Sequence, residues 1–571
     1  MKYKILLFFI ILVGFCFRFY NLNWDQGHHL HPDERAIVMF TTPLRFPKSI
    51  ASFLSPQSPW NPHFFAYGNF PLYLLKITGS VLANFNPLYS LYEKINLVGR
   101  AISVIADLGT LILIYALAKK LFNRSVGLLA SLFYAVSVFS IQAAHFYAVD
   151  ALLTFFIFLT LYQLIRFYNQ PGYKNAILSG IFFGLCLATK ISAIALVSAI
   201  GAVLSVDFLL ILLKNPHHPH IWFPHISKFL KKLFIDGLII TIVTVTTFAL
   251  LEPYALLDFN EFWRQTLEQS QMTHNAFVFP YTLQYVGITP YLYEIKNIFL
   301  WGQGPILATI SFLGIFYIIF LIIKKQKKDK WAQELILAIF LISYFAIVGK
   351  FAVGWMRYML PLYPLFCLFG AVLVHRLNQI LKIKIRSHLI LNVLYIIFYI
   401  SILVWPLSFM YIYTLPNTRV LASDWIYKNI PSNSKIARER WDDGLPLDGT
   451  KPYQILELPI YDIQNPLIEE QIYQTAQKAD YIVVASNRLY VPLQRLAGNC
   501  QKWNLPPEKC YKNADLYYKK LFNGKLGYKK VAAFSIYPKI PFLNIIINDS
   551  AADESFSVYD HPKIMIFKNE K

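Results

Sequence analysis

The amino-acid sequence predicts an α-helical polytopic membrane protein that carries a small α/β domain at its C-terminal end. Of its 571 residues, 56% are hydrophobic and only 15% are charged, whereas a soluble domain averages about 25% charged residues. About eleven apolar runs are long enough to cross the ~30 Å hydrocarbon core of a bilayer as helices. Residues 415–571, by contrast, have an ordinary charge content. This composition excludes a disordered chain, a collagen and a coiled coil, and it argues against a purely soluble enzyme.

The first apolar run, MKYKILLFFIILVGFCF, begins with basic residues, as a signal peptide does. No small-residue cleavage site follows it, and Arg18, Phe19 and Tyr20 come next, so we expect an uncleaved first span. The other predicted spans lie near residues 97–118, 126–143, 150–166, 176–190, 191–213, 234–251, 305–323, 332–349, 355–375 and 388–411.

The orientation of these spans follows from the Lys and Arg residues of the short loops, which favour the cytoplasmic side. With the N-terminus in the cytoplasm, basic clusters such as KKQKKDK at 324–330 fall inside, whereas the short outer loop His145–Val149 contains no Lys or Arg. We therefore expect a multi-pass protein of the plasma membrane. Much of the net charge of +21 is then a topology signal, and nucleic-acid binding loses its main support.

This topology divides the chain into a membrane domain, residues 1–414, and an extracytoplasmic α/β domain, residues 415–571. Within the membrane domain, residues 21–95 and 252–304 are expected to form long outer loops. In the tail, the apolar patterns predict two helices and four strands. The helices are expected in TRVLASDWIYKNI and around Ala514–Phe522, and the strands in SKIARE, ADYIVVAS, YKKVAAFSIY and HPKIMIF.

An acidic pair follows the first span in the sequence HHLHPDERA, residues 28–36. Pro32 disfavours helical geometry at His31 and is tolerated in the first turn of a helix, so Asp33 and Glu34 are expected in that turn. Acidic residues there complement the helix macrodipole. Because the pair lies near the outer membrane face, it also suits general-base catalysis. The spacing alone leaves both interpretations open.

Other polar residues are expected at the same face. Asp150 ends the short outer loop HFYAVD, where it is either a solvated loop end or a second acid for a general base or a divalent cation. Lys190 lies between two apolar runs, and Arg357 and Tyr358 begin the tenth span. A basic residue at such a boundary either snorkels to the interface or binds a phosphate.

Taken together, these motifs resemble those of a known family. HPDE, HFYAVDALLTFF, GLCLATKISAI and RYMLPLYPLF occur in the order, and on the one side of the membrane, that is typical of polyprenyl-phosphate-sugar-dependent glycosyltransferases of the GT-C superfamily. The resemblance is to the protein O-mannosyltransferase and aminoarabinose-transferase-like branch. It extends over about residues 1–375, and it rests on the joint placement of the motifs, because none of them is specific alone.

The resemblance implies that a sugar, mannose at the level of the family, is transferred with inversion from a polyprenyl-phosphate carrier to an acceptor hydroxyl on the outer face. It implies that Asp33 acts as the base or orients the acceptor, with Glu34 beside it and Asp150 as the acid of the second loop. The implied acceptor is a protein, a glycolipid or a wall polymer of the cell envelope.

The resemblance also implies that basic groups bind the phosphate of the lipid-linked donor. Lys190 and Arg357, with Tyr358 beside them, are the matching candidates. Cationic donors at that place would stabilise the negative charge that develops on the leaving group. The expected partners are thus the lipid donor, its acceptor and the membrane lipids, and no nucleic acid.

A divalent metal is a further hypothesis for this site, whereas no organic cofactor is expected. Asp33, Asp150 and His31 are the candidate ligands. The HHLH sequence before the acidic pair departs from the family pattern, and polar loop histidines without a metal are the simpler interpretation. The histidine-rich stretch at 215–220 is expected in the cytoplasm, away from this chemistry.

Two other classes of protein compete with the glycosyltransferase interpretation. A transporter or flippase would need polar residues in the middle of its spans or paired broken helices. The span centres are nearly uncharged apart from Asp107. We expect the polar side chains of Arg100 and Asp107 to contribute to helix packing rather than to a site. A receptor or scaffold leaves the acidic loop and Lys190 unexplained.

The tail contains two features with no chemistry assigned by the resemblance. Asp442 and Asp443 in WDDGLP are either a surface turn or part of acceptor recognition. Cys500 and Cys510 lie in the exported domain, where an oxidising exterior permits a disulfide, and two free thiols are the alternative. Five cysteines in this length are too few for a disulfide scaffold.

Overall fold

The N-terminal part of the chain forms one long helix and a loop of shorter ones. A computed structural model describes residues 2–214, 219–325, 331–447, 451–462 and 465–570. Helix α2 begins at Pro32, as predicted, because the extended residue His31 caps it and its imidazole accepts the backbone N–H of Glu34. The helices are α1 (Lys2–Phe19), α2 (Pro32–Thr41), α3 (Ile50–Phe53) and α4 (Asn69–Leu82).

The apolar helices of the first half follow in the predicted places. The predicted span 126–143 is a pair of helices, α6 and α7, that bend by 62° at a short break. A 3-10 turn, Ile191–Leu196, precedes α10 and places Lys190 at the break after α9. The helices are α5 (Ile95–Leu121), α6 (Arg124–Ala135), α7 (Val138–Ala144), α8 (Asp150–Asn169), α9 (Tyr173–Thr189), α10 (Val197–Lys214) and α11 (Pro219–Leu251).

A second loop of short helices separates this half from the last apolar helices. The 3-10 turn Met356–Leu362 precedes α17 and contains the predicted site residues Arg357 and Tyr358. The helices are α12 (Tyr254–Leu257), α13 (Phe259–His274), α14 (Leu292–Asn297), α15 (Pro305–Lys325), α16 (Ala332–Val348), α17 (Tyr363–Lys384) and α18 (His388–Met410).

The predicted polytopic architecture is confirmed. In the described part of the chain, seven helices are long and apolar enough to cross a membrane, or eight if the bent pair α6–α7 is one span. The sequence count of about eleven also includes α1 and the shorter apolar helices α9 and α16. The orientation stays a prediction. Residues 326–330 of the basic loop and residues 215–218 of the histidine-rich stretch lie outside the described residues.

The tail forms the predicted α/β domain. Its five-stranded sheet has the order β2-β1-β3-β5-β4, in which β2, β1 and β3 are parallel and β5 runs antiparallel to both β3 and β4. The predicted helices and strands are confirmed as α19, α22, β1, β3, β4 and β5, whereas β2, α20, α21 and α23 had not been predicted. The elements are α19 (Thr418–Asn429), β1 (Lys435–Glu439), β2 (Gln454–Leu458), α20 (Pro466–Lys478), β3 (Tyr481–Val484), α21 (Tyr490–Asn499), α22 (Lys512–Phe522), β4 (Tyr528–Phe534), α23 (Glu554–Ser557) and β5 (Ile564–Asn569). Cys500 and Cys510, after α21, form a disulfide with Cα atoms 5.3 Å apart.

A buried polar cluster joins the tail to the membrane domain. The Asp560 carboxylate accepts hydrogen bonds from Gln142 of α7 at 2.9 Å and from the Tyr413 hydroxyl at 2.8 Å. His561 lies between Asp560 at 2.5 Å and Asp549 at 2.8 Å. Burial lowers the pKa of His561, but the two carboxylates outweigh burial and raise the pKa to about 10. The imidazolium thus holds Asp560, which makes the contacts with Gln142 and Tyr413 of the membrane domain.

Candidate active site

The first turn of α2 sends the two predicted acids to different places. The Asp33 carboxylate reaches a large cavity, where it accepts a hydrogen bond from the Tyr67 hydroxyl at 2.7 Å and pairs with Arg357. Glu34 points into the protein and is fully buried. It pairs with Arg100 at 2.6 Å and accepts the backbone N–H of Tyr147 at 2.8 Å.

Arg100 is the centre of a closed ionic cluster. Its guanidinium pairs with Asp25 at 2.7 Å as well as with Glu34, and all three side chains have no exposed surface. Burial raises the pKa of Asp25, but Arg100 outweighs burial and holds that pKa below its usual value. Burial raises the pKa of Glu34 despite the same partner. The cluster fixes α2 to the start of α5, so the geometry gives Glu34 a positioning role.

Arg100 and Asp107 therefore do not form a pair with each other. Asp107 pairs with Arg18 of α1 and accepts the Tyr134 hydroxyl at 2.5 Å. Arg18 also donates to the backbone carbonyl of Ala135 at 2.9 Å. The predicted role in helix packing agrees with these contacts, because they join α1, α5 and α6.

A second carboxylate–cation pair lies beside Asp33 and Arg357. Asp150, the first residue of α8, accepts a hydrogen bond from the Lys190 ammonium at 2.8 Å. That ammonium lies over the ring of Tyr358 at 4.7 Å and over the ring of Tyr67 at 5.8 Å. Arg357 lies 5.9 Å from the centre of the same Tyr358 ring. The structure thus brings Asp33, Asp150, Lys190, Arg357 and Tyr358 together from four separate stretches of sequence.

Tyr67 is a site residue that the sequence reasoning missed. The next residue, Gly68, donates its backbone N–H to the Thr189 carbonyl at 3.1 Å, and a Cβ atom there would collide with the Ala188 carbonyl. This close approach places Tyr67 beside Lys190. Burial, with the negative charge of Asp150, raises the pKa of Tyr67 well above its usual value, so the hydroxyl stays a donor to Asp33. The glycine in FAYGNF was the available signal.

The cavity that Asp33 reaches has a volume of about 560 Å³. Its wall combines acidic, basic and aromatic side chains from the first loop, the second loop and the tail domain. A smaller cavity beside it is lined by Asp150 and His31. Arg357 and Tyr559 line both cavities and so connect the two carboxylate–cation pairs. The polar and aromatic side chains that line the larger cavity include Asp33, Arg35, Tyr67, Arg264, Trp355, Arg357, Trp441, Asp442, Asp443 and Arg488.

The WDDGLP turn contributes the tail domain's side of this wall. Asp443 pairs with Arg35 of α2 at 2.9 Å and with Arg419 at 3.1 Å. Burial raises the pKa of Asp443, but these arginines, with Arg488, outweigh burial and hold the pKa below its usual value. Trp441 keeps about half of its surface exposed. The turn lines the cavity, and both interpretations of this motif, a surface turn and a part of acceptor recognition, stay open.

The candidate metal ligands do not form a ligand set. His31 uses Nδ1 to accept the backbone N–H of Glu34, and burial, with Arg357 nearby, lowers its pKa well below the usual value. Asp33 and Asp150 each have a cationic partner already. No group of three or more His, Cys, Asp or Glu side chains arranged for a metal occurs among the described residues.

Comparisons with known proteins agree with this architecture. Residues 88–235 match the family model described as dolichyl-phosphate-mannose-protein mannosyltransferase. No curated protein matches the chain in sequence. The oligosaccharyltransferase of Archaeoglobus fulgidus, in the apo form, shares the fold with a TM-score of 0.50 at 12% identity, over 99% of this chain and 88% of that chain.

Two further solved structures align less closely. ArnT from Cupriavidus metallidurans bound to undecaprenyl phosphate has a TM-score of 0.45 at 13% identity, over 74% of this chain and 72% of that one. The S. cerevisiae protein O-mannosyltransferase Pmt1-Pmt2 complex bound to the sugar donor has a TM-score of 0.33 at 14% identity, over 46% and 34%.

Proposed function

We propose that the chain is a membrane glycosyltransferase; the family match over residues 88–235 and the shared fold support this proposal. It transfers a sugar from a polyprenyl-phosphate carrier to an acceptor hydroxyl, and its cavity opens on the extracytoplasmic side of the plasma membrane. The description of the matching family favours mannose as the sugar. The acceptor is a protein, a glycolipid or a wall polymer.

One observation carries this proposal. Two carboxylate–cation pairs, Asp33–Arg357 and Asp150–Lys190, lie side by side at the end of the apolar helices and next to a cavity of about 560 Å³. A sugar phosphate needs cations for its leaving group, and an acceptor hydroxyl needs a carboxylate as its base. Both kinds of group are present here in contact with each other.

The pairing suggests how the donor prepares the site. The donor phosphate binds Lys190 and Arg357 through charge-assisted hydrogen bonds. Arg357 then divides its charge between the phosphate and Asp33, so that Asp33 becomes more basic and can accept a proton. The acceptor oxygen attacks the anomeric carbon, its proton passes to Asp33, and the bond from that carbon to the phosphate oxygen breaks. A single displacement of this kind inverts the anomeric centre.

The tail domain supplies the acceptor side of the cavity in this proposal. Trp441 presents an exposed indole, and aromatic faces suit both sugars and peptide side chains. Asp442 and Asp443 are held by Arg419 and are therefore rigid carboxylates in the wall. Trp441→Ala should raise KM for the acceptor about tenfold and change donor binding little, measured with saturating donor.

The test of the function is donor turnover. Purified protein in nanodiscs is given a panel of polyprenyl-phosphate sugars with peptide, glycolipid and wall-polymer acceptors, and released polyprenyl phosphate is measured. Release that depends on one sugar and on an acceptor supports the proposal, and the anomeric configuration of the product tests inversion. Absence of release with every donor would contradict it. Parallel reactions with a chelator test the metal hypothesis.

A transporter or flippase is not favoured. The ionic contacts between α1, α5 and α6 are closed, since Arg18, Asp107 and Tyr134 satisfy one another and have no exposed surface. Movement of a lipid between leaflets without sugar release, measured in the same reconstituted protein, would restore this alternative.

A further inference from the structure

A short hairpin of the tail domain exposes an unusually apolar surface. Residues 538–547 read PKIPFLNIII, and Lys539 pairs with Ile546 in an isolated antiparallel bridge. The Ile540 N–H donates to the Ile545 carbonyl at 2.8 Å, which closes the turn. Phe542 is fully exposed, and Leu543, Ile545 and Ile546 each expose more than half of their surface.

The tip of this hairpin holds one bulky residue, Phe542, in a backbone conformation that such residues rarely adopt. Phe542 has a φ of 65° and Asn544 has a φ of 55°. A bulky residue in the left-handed region is uncommon and destabilising, and here the exposed ring gains no packing within the chain that would offset the strain. The conformation therefore points the apolar tip outward, and packing within the chain does not offset the strain at Phe542.

The base of the hairpin is fixed to the end of a membrane span. The Lys539 N–H donates to the carbonyl of Ser408, in the last turn of α18, at 3.0 Å. The Lys539 ammonium lies over the ring of Tyr411 at 5.2 Å. A Lys and a Tyr at the end of an apolar helix are typical of the headgroup region of a bilayer.

The surface of α18 beside this anchor is apolar and exposed. Only 17% of the apolar stretch that makes α18 a candidate span is buried inside the protein. Ile396, Ile397, Ile400 and Leu407 on α18 are among its exposed apolar side chains. The base of the hairpin is therefore joined, at Ser408, to a helix whose exposed apolar surface suits acyl chains.

We infer that the 538–547 hairpin inserts into the bilayer leaflet on the side of the tail domain. Its occupant is lipid: Phe542 and Leu543 contact acyl chains, and Lys539 contacts headgroup phosphates. Three residues beyond the anchor reach about 10 Å in an extended strand, which matches the depth of about 5–10 Å for interfacial apolar groups. The inserted tip would hold the tail domain, and with it the WDDGLP wall, against the membrane. This inference does not depend on the proposed reaction.

The test places a fluorescent probe on the hairpin. Phe542→Cys is labelled with the environment-sensitive fluorophore NBD, in a Cys16→Ser background because Cys16 is exposed. The protein is reconstituted into phosphatidylcholine vesicles that contain a lipid spin-labelled at carbon 5 of the acyl chain. The matched control is Leu467→Cys, because Leu467 is also strongly exposed and its helix, α20, packs on β1 and β2 of the sheet.

Insertion predicts that the spin-labelled lipid quenches the Phe542 probe several-fold more than the Leu467 probe, whereas aqueous iodide quenches the Leu467 probe more. Equal lipid quenching at the two positions would overturn the inference. So would a Phe542 probe that is shielded from both quenchers, because that result indicates a protein partner or a second copy of the chain. Both positions are exposed, so the variants should fold, and a size-exclusion profile equal to that of the wild type checks this.

Discussion

The ionic clusters around Arg100 and Arg357 contain the neighbouring acids Glu34 and Asp33, and they differ in their access to the cavity. In the first, the side chains of Arg100, Asp25 and Glu34 have no exposed surface. In the second, Asp33 exposes 19% and Arg357 13% of the side chain. A closed cluster has a fixed set of partners and stabilises structure, whereas an open pair can exchange one partner for a ligand. The comparison predicts different consequences for the same chemical change in each cluster.

The largest effect is expected at the open pair, from Asp33→Asn. The amide keeps the size of the side chain and can still contact Tyr67, but it cannot take a proton. Turnover should fall by about 10²–10⁴-fold, the usual contribution of a positioned base, while folding and donor binding change little. Single-turnover rates with bound donor measure this.

The control for Asp33→Asn is Glu457→Gln, a half-exposed carboxylate in the tail sheet that pairs with Arg438. Its turnover should equal that of the wild type. If Asp33→Asn retains nearly full turnover, the assignment of the base is wrong, and Glu34 is the next residue to test.

The same acid-to-amide change in the closed cluster, Glu34→Gln, should act on stability. Removing one partner of a buried ion pair costs about 3–5 kcal/mol, and the lower end is expected here because Asp25 still pairs with Arg100. Thermal unfolding in detergent should show a lower Tm, while the protein that remains folded keeps most of its turnover. A normal Tm with abolished turnover would show that Glu34 takes part directly in the reaction, and it would contradict the distinction between the closed cluster and the open pair.

At the open site, Lys190→Ala and Arg357→Ala should weaken donor binding. A hydrogen bond to a charged group contributes about 1.5–3 kcal/mol, so the Kd for polyprenyl phosphate should rise about 10–100-fold in calorimetric titrations. Arg357→Lys should recover part of the affinity, because a cation remains. Unchanged Kd values in both alanine variants would show that the phosphate binds elsewhere.

The last effect is expected from pH, at the buried cluster of Asp549, Asp560 and His561 at the domain junction. The pKa of His561 is raised to about 10, above the value of an unfolded histidine, so its stabilising charge is fully present below about pH 6.5. That contribution decreases as the pH rises and is lost as the pH passes about 10. Between pH 7 and 10, Tm should fall more in the wild type than in His561→Gln. Parallel curves for the two proteins would contradict the assignment of a charged His561.

Local sequence determined the elements of this protein. Membrane spans such as 150–166 and 305–323 could be predicted because a helix in lipid must be apolar along its whole length. Such a run of apolar residues is visible in the local sequence. The start of α2 at Pro32 and the strands in ADYIVVAS and HPKIMIF have local causes as well. The edge strand β2 was missed because only one residue of QILEL is buried, so that it lacks a clear buried face.

Tertiary structure alone decided which charges meet. Asp33 and Glu34 are adjacent in the sequence, yet one reaches the cavity and the other pairs with Arg100, 66 residues away. Asp443 contacts Arg35 across 408 residues. A charge selects its partner by distance and by the loss of water around it, and both depend on how helices and domains pack. The sequence thus determined which residues collect at one face of the membrane domain, and packing decided which of them are closed and which are open to a substrate.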